Sequence, residues 1–222
     1  MACPAAFVIV SSGAAKGGKS VALGRPRAFD VDQALDRALV VFWRRGYEGA
    51  SLADLTREMG ISPPSLYAAF GNKEALFRRA VARYAEGPAA YQARALAQPT
   101  ARGVAEALLA GAIDLLTDPA SPPGCLVVQG ALAAGEASEA ARAHLAACRA
   151  AREVEIRLRL EQAAAEGDLP AGAEPAALAR FLAVVMFGMA VQAAGGAGRA
   201  ELSAAAAVAL GAWPESVERS VA

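Results

Sequence analysis

The chain has 222 residues, with 22 Lys and Arg against 22 Asp and Glu, and 55% of its residues are hydrophobic. That length holds one large domain or two small ones with ample core. Three sparse cysteines, Cys3, Cys125 and Cys148, exclude a disulfide framework and fit a reducing cytoplasm. The balanced total hides an asymmetry. Residues 21–85 carry ten basic and seven acidic side chains, whereas residues 86–222 carry ten basic and fifteen acidic. A basic front and an acidic back suit a nucleic-acid module joined to a body that avoids phosphates. A surplus of three is modest, so tight binding calls for two copies.

Residues 1–23 read as a flexible tail rich in Gly, Ser and Ala. Within it, Gly13 to Ser20 formally match the phosphate-cradling pattern G-x-x-x-x-G-K-[ST]. A true phosphate loop needs a helix directly after the Ser. Gly24 and Pro26 follow instead, and no βαβ units come later, so nucleotide binding is a remote alternative.

Gly24 to Arg27 form a short basic arm. Asp30 then caps a first helix whose inner face holds Val31, Leu35, Ala38, Leu39 and Phe42, and which Gly46 ends. Ser51 and Asp54 make a capping-box-like pair, and Leu52, Leu55 and Met59 follow at helical spacing. Gly60 suits a left-handed helix end, and Ser62 followed by Pro63 starts the next helix, with Leu66 stapling back onto Ile61. Two short helices across a tight turn form a helix-turn-helix, which presents its second helix to the DNA major groove. Asn72 caps a fourth helix, stopped by Gly87 and Pro88.

The remainder is helical by pattern, without sustained alternation and rich in alanine. Helices are expected over Ala89–Ala97, Ala101–Thr117, Cys125–Ala134, Ser138–Glu166, Pro175–Ala194 and Glu201–Ala212. The apolar run Phe181 to Ala194 is 14 residues, short of the roughly 20 a membrane span needs, so no membrane partner is expected. The last two helices are nearly uncharged, and a second subunit is the economical cover for them.

Four linked stretches, GRPRAF at Gly24 to Phe29, FWRRGYEGAS at Phe42 to Ser51, the helix-turn-helix, and SLYAAFGNKEALF at Ser65 to Phe77, resemble the TetR family (TetR/AcrR-like) of transcriptional regulators. The resemblance covers about Gly24 to Tyr84. Ala50 stands where the family often has Thr, and Ser62-Pro63 where a polar or basic pair is common. It implies an all-α fold, with an N-terminal three-helix helix-turn-helix DNA-binding domain (residues 24–87), a C-terminal helical ligand-binding and dimerisation domain (88–213) and a short tail (214–222). It also implies a homodimeric cytoplasmic repressor of double-stranded DNA, released from a palindromic operator by a small apolar effector.

The expected DNA contacts lie within Ser51 to Phe70, with Arg25, Arg27, Ser51, Ser62, Pro63, Ser65, Tyr67 and Lys73 named individually. The second helix, Ser62 to Phe70, has no Arg, Lys, Asn or Gln, the usual bidentate readers of bases. Its hydroxyls, the two arm arginines in a minor groove, and DNA shape must then do the reading. For the effector, Leu126, Gln129, Met186, Phe187, Met189 and Gln192 supply an apolar lining with polar anchors. No catalytic constellation and no cofactor motif appears. His144 and Cys148, four apart on one helix with Cys125 nearby, form the alternative: a metal- or redox-responsive site.

Overall fold

The chain starts its first described helix on a side-chain cap: the N–H groups of Asp32 and Gln33 donate to Asp30 Oδ1 at 2.9 and 3.2 Å. The computed structural model describes residues 29–132 and 138–214, and among them every regular element is a helix. α1 (Val31–Gly49) breaks at Gly46, where φ is 68°, and resumes to Gly49; the expected stop at Gly46 is thus a kink within a longer element. α2 (Leu52–Met59) and α3 (Pro63–Phe70) form the helix-turn-helix. Gly60 joins them at φ 69°, ψ 32°, a left-handed conformation that costs little without a Cβ. α4 (Lys73–Glu86) follows on its Asn72 cap.

The core of this unit is aromatic. Phe42 and Phe77 meet edge to face at 5.0 Å, and Trp43 and Tyr84 at 4.8 Å. Leu55, Leu66, Phe70 and Leu76 close it from α2, α3 and α4. Outside, Arg83 clamps Asp36 with two nitrogens at 2.7 and 3.1 Å, tying α4 to α1.

The body comprises α5 (Tyr91–Leu96), α6 (Ala101–Leu116), α7 (Leu126–Leu132), α8 (Glu139–Ala165), α9 (Pro175–Ala194) and α10 (Arg199–Gly211). These bounds follow the caps and apolar spacing to within two residues, apart from the end of α7, where the expected Ala133 and Ala134 lie outside the described residues. α6 is packed by α5, α9 and α10, and α8 lies along α9. Leu108, Leu109, Ile156, Leu160, Leu182, Met186 and Leu202 build the core between them. α9 has 20 residues and is apolar enough by composition to cross a membrane. Its inner face, Ala179, Leu182, Met186 and Ala193, is instead buried in the body core.

The two cores meet at the start of α7. Leu126, with Ala141 and Leu145 of α8, belongs to the N-terminal core, while Val128 belongs to the body core. The Trp43 indole N–H donates to the Gly124 carbonyl at 3.0 Å across 81 residues, in a buried setting. The Tyr84 hydroxyl donates to Cys125 Sγ at 3.3 Å, and Ser138 Oγ donates to Glu48 Oε1 at 2.7 Å. Gly124 sits at φ 79°, and a Cβ there would meet the Gln129 amide at 2.3 Å.

Trp43→Phe keeps a ring against Tyr84 but removes the donor from a buried carbonyl. An unsatisfied buried acceptor costs about 1–3 kcal/mol, so the variant is expected to lose about that much stability. Urea denaturation followed by circular dichroism measures it; an unchanged midpoint would remove this bond from the account.

Candidate DNA-reading surface and internal cavity

Ser51 starts α2 by accepting from the Asp54 N–H at 3.0 Å, and its hydroxyl donates to Asp54 Oδ2 at 2.7 Å. Arg45 and Arg57 flank the same carboxylate at 2.7 and 2.8 Å. The Ser51 and Arg57 hydrogen bonds hold the Asp54 carboxyl at about 2, below its ordinary 3.8. In α3, Ser62 accepts from the Ser65 N–H, and the two hydroxyls lie 2.9 Å apart. Ser62, Pro63, Tyr67 and Ala68 are exposed, whereas Leu66 and Phe70 are buried. One face of α3 therefore offers hydroxyls and small apolar surfaces, and the other anchors the helix.

Lys73 sits differently from a simple surface cation. Its Nζ lies 4.5 Å over the Tyr47 ring, and desolvation lowers its pKa. Tyr47 in turn meets the Phe77 ring edge at 5.1 Å. Exposed Arg44 and Arg45, at the end of α1 and beside α2, add positive charge that the sequence reading did not single out. Arg25 and Arg27, like Gly13 to Ser20, lie outside the described residues.

Behind this unit, the body contains two adjoining chambers of about 100 and 40 Å³. Both are lined by Tyr84 of α4, Gln92 of α5, Cys125, Arg152 of α8 and Phe187 of α9. The outer chamber adds Cys148 and Glu155, and the inner one adds Tyr91 and Met186. Burial pushes the Tyr84 hydroxyl well above its usual range, with Cys125 adding to the effect, and pushes Tyr91 up to about 12. Tyr91 is pinned by α6: a Cβ on Gly111 would meet its ring at 2.2 Å.

The six residues named for the effector do not converge. Met186 and Phe187 line the chambers. Met189 and Gln192 line a separate open groove of about 490 Å³ between α9 and α10. Leu126 is in the N-terminal core, and Gln129 folds its amide over Gly124. Arg152, Gln92, Tyr84 and Tyr91 line the inner chamber and were not among those six. The spacing held a signal for one of them, because His144, Cys148 and Arg152 recur every four residues on one face of α8.

Cys148 Sγ lies 3.9 Å from His144 Nε2, and burial with the nearby Arg78 lowers the imidazole pKa. Among the described residues, no three His, Cys, Asp or Glu side chains gather into a metal-binding group. Cys125 and Cys148 do share the wall of the outer chamber.

A helix-turn-helix on a charged N-terminal unit, bolted to a helical body with an internal cavity, defines a DNA-binding transcriptional regulator. Residues 34–80 match the family described as "Bacterial regulatory proteins, tetR family", and residues 103–210 match "Tetracyclin repressor-like, C-terminal domain". The chain is 35% identical over 199 residues to the HTH-type transcriptional repressor ComR of Escherichia coli (strain K12), covering 88% of this chain and 94% of that protein. It is 49% identical over 61 residues to the repressor BdcR of the same strain, covering 28% and 31%. A solved structure of a cysteine mutant of the TetR-family regulator CifR, complexed with 26bp double-strand operator DNA, superposes with a TM-score of 0.81. Its identity is 49%, over 86% of this chain and 100% of that one. The chain belongs to the TetR family.

The Asp54 carboxylate titrates below its unfolded value, so its contribution to the α2 N-terminus is present above pH 3.8 and lost as pH falls through about 2. Carboxyl chemical shifts are expected to place its midpoint near 2 in the wild type. In Ser51→Ala, which removes the main cause, the midpoint is expected to move back toward 3.8.

Proposed function

We propose that this regulator is a homodimeric repressor in the cytoplasm, which leaves a palindromic operator when a small, largely apolar effector fills the internal chambers. Residues 24–87 form the DNA-binding unit, and residues 88–213 the effector-binding and dimerisation unit. The observation that carries the reading is a shared wall. Tyr84 and Cys125 line the chambers and also form the junction that fixes α4 and α7 together. A ligand that pushes on either one works against the packing that orients the helix-turn-helix. Effector then favours a geometry in which two recognition helices no longer match major grooves roughly 34–36 Å apart. Named relatives support the repressor sense: ComR and BdcR are both described as repressors.

Two copies meet, in this reading, along α9 and α10. Val184 is 60% exposed and Val208 76% exposed, on either side of the groove that Met189 and Leu202 floor. Large aliphatic side chains left this open call for a partner. Val184→Asp with Val208→Asp leaves the folded subunit intact, because both positions face outward, but would bury unpaired charge in a dimer. Sedimentation is expected to show a folded monomer with weakened operator binding; a stable dimer would move the interface elsewhere.

DNA is read by the hydroxyls of Ser62, Ser65 and Tyr67, with Pro63 against thymine methyls and the helix N-termini at Ser51 and Ser62 on phosphates. Arg25 and Arg27 enter a minor groove. Arg25→Ala with Arg27→Ala is expected to narrow the gap between specific and non-specific affinity, whereas Lys73→Ala weakens all sequences alike. Competition binding at fixed salt separates the two; equal losses in the arm variant would reduce the arm to a phosphate contact.

The second reading is a response through thiols, favoured by Cys125 and Cys148 on one chamber wall and the Tyr84 hydroxyl on the Cys125 sulfur. Metal analysis of purified protein and thiol titration with and without operator distinguish it from effector binding.

A further inference from the structure

Among the described residues, the inner chamber has one charged lining residue, Arg152, and no carboxylate. Its other polar groups are the Gln92 amide, the hydroxyls of Tyr84 and Tyr91, and the Cys125 thiol. Their hydrogen bonds are already directed: Tyr84 donates to Cys125, and the Gln92 amide donates to the Tyr91 hydroxyl at 3.3 Å. The ion-pair partner of Arg152 is Glu155, three residues on, at 2.5 Å. Glu155 lines only the outer chamber and its side chain is 45% exposed, against 25% for Arg152. Arg152 therefore lines both chambers, while the more exposed Glu155 lines the outer one, where Arg149 also stands, and a half-exposed i,i+3 pair holds weakly. The Arg152 field reaches inward: the guanidinium acts to lower the otherwise raised pKa of buried Tyr91.

We propose that the chambers are built for a compact carboxylate, with a body of about one ring against Phe187 and Met186 and its anionic head on Arg152 and the Gln92 amide. This rests on the reading of the chambers as the effector site, and it names that effector's chemical class. A guanidinium presents a planar fork that matches a carboxylate with two parallel bonds. In these partly enclosed chambers, that pairing would be stronger than the more exposed pair it replaces. Binding thus exchanges Glu155 for the ligand. Volumes of about 100 and 40 Å³ favour a compact body. The apolar walls, Val128, Leu116 and Ala190 among them, reject a second charge.

The test uses the full chain with three probes of one size: benzoate, benzamide and toluene, followed by calorimetry and thermal shift. Benzoate is expected to bind most tightly. Arg152→Met should weaken benzoate about tenfold to a hundredfold, the range for losing a charged hydrogen bond, and leave toluene unchanged. Glu155→Gln removes the competitor and should tighten benzoate alone, a gain that a merely structural role for the pair would not produce. Equal affinity for benzoate and benzamide, or benzoate binding indifferent to both substitutions, overturns the carboxylate inference. Binding of toluene and benzamide without benzoate overturns it as well, yet leaves the effector cavity standing. If none of the three binds, the cavity reading and the inference fall together.

Discussion

The indole of Trp43 donating to the carbonyl of Gly124 is the bond through which the two halves of the molecule define each other. It ends a loop in a buried place, where an unpaired carbonyl would be costly. By fixing Gly124 it fixes the next residues: the Cys125 sulfur under the Tyr84 hydroxyl, then Leu126 in the N-terminal core. Two residues later Val128 faces the opposite core. These anchors set the position of the start of α7.

This arrangement ties the cavity wall to the N-terminal unit. α1 and α4 are clamped to each other by the Asp36–Arg83 fork and by two edge-to-face aromatic pairs. α2 and α3 ride on that unit through Leu55, Leu66 and Phe70. In the proposed mechanism, pressure on Tyr84 would therefore reach the helix-turn-helix through one packed unit.

The fold was legible in the sequence because its caps are local chemistry. Asp30, Ser51, Ser62 and Asn72 each place a side-chain acceptor where a helix has unpaired N–H groups, and each does so here within one turn. The cavity was less legible because α9 is apolar nearly all round. Periodicity cannot say that Met186 faces inward to α6 while Met189, less than one turn on, also floors the outer groove. Arg152 was hidden for the opposite reason: on a long helix with many charges, a single arginine reads as solvated surface. Only the neighbours brought by α4, α5 and α9 make it a cavity wall. The thiols show the middle case, with Cys148 close to His144 as the spacing implied and Cys125 arriving from a distant loop.

The bare backbone of α6 at Gly111 has a consequence for how such a protein diversifies. The Tyr91 ring occupies the place a methyl group would take, 2.2 Å from the missing atom. An alanine there would force the ring, which already lines the inner chamber, to shift. If the chambers hold the effector as proposed, one carbon placed behind the cavity wall reshapes that site from a residue outside its lining. On that proposal, helix-packing substitutions at α6 would alter the cavity while the helix-turn-helix, built from other residues, stays as it is.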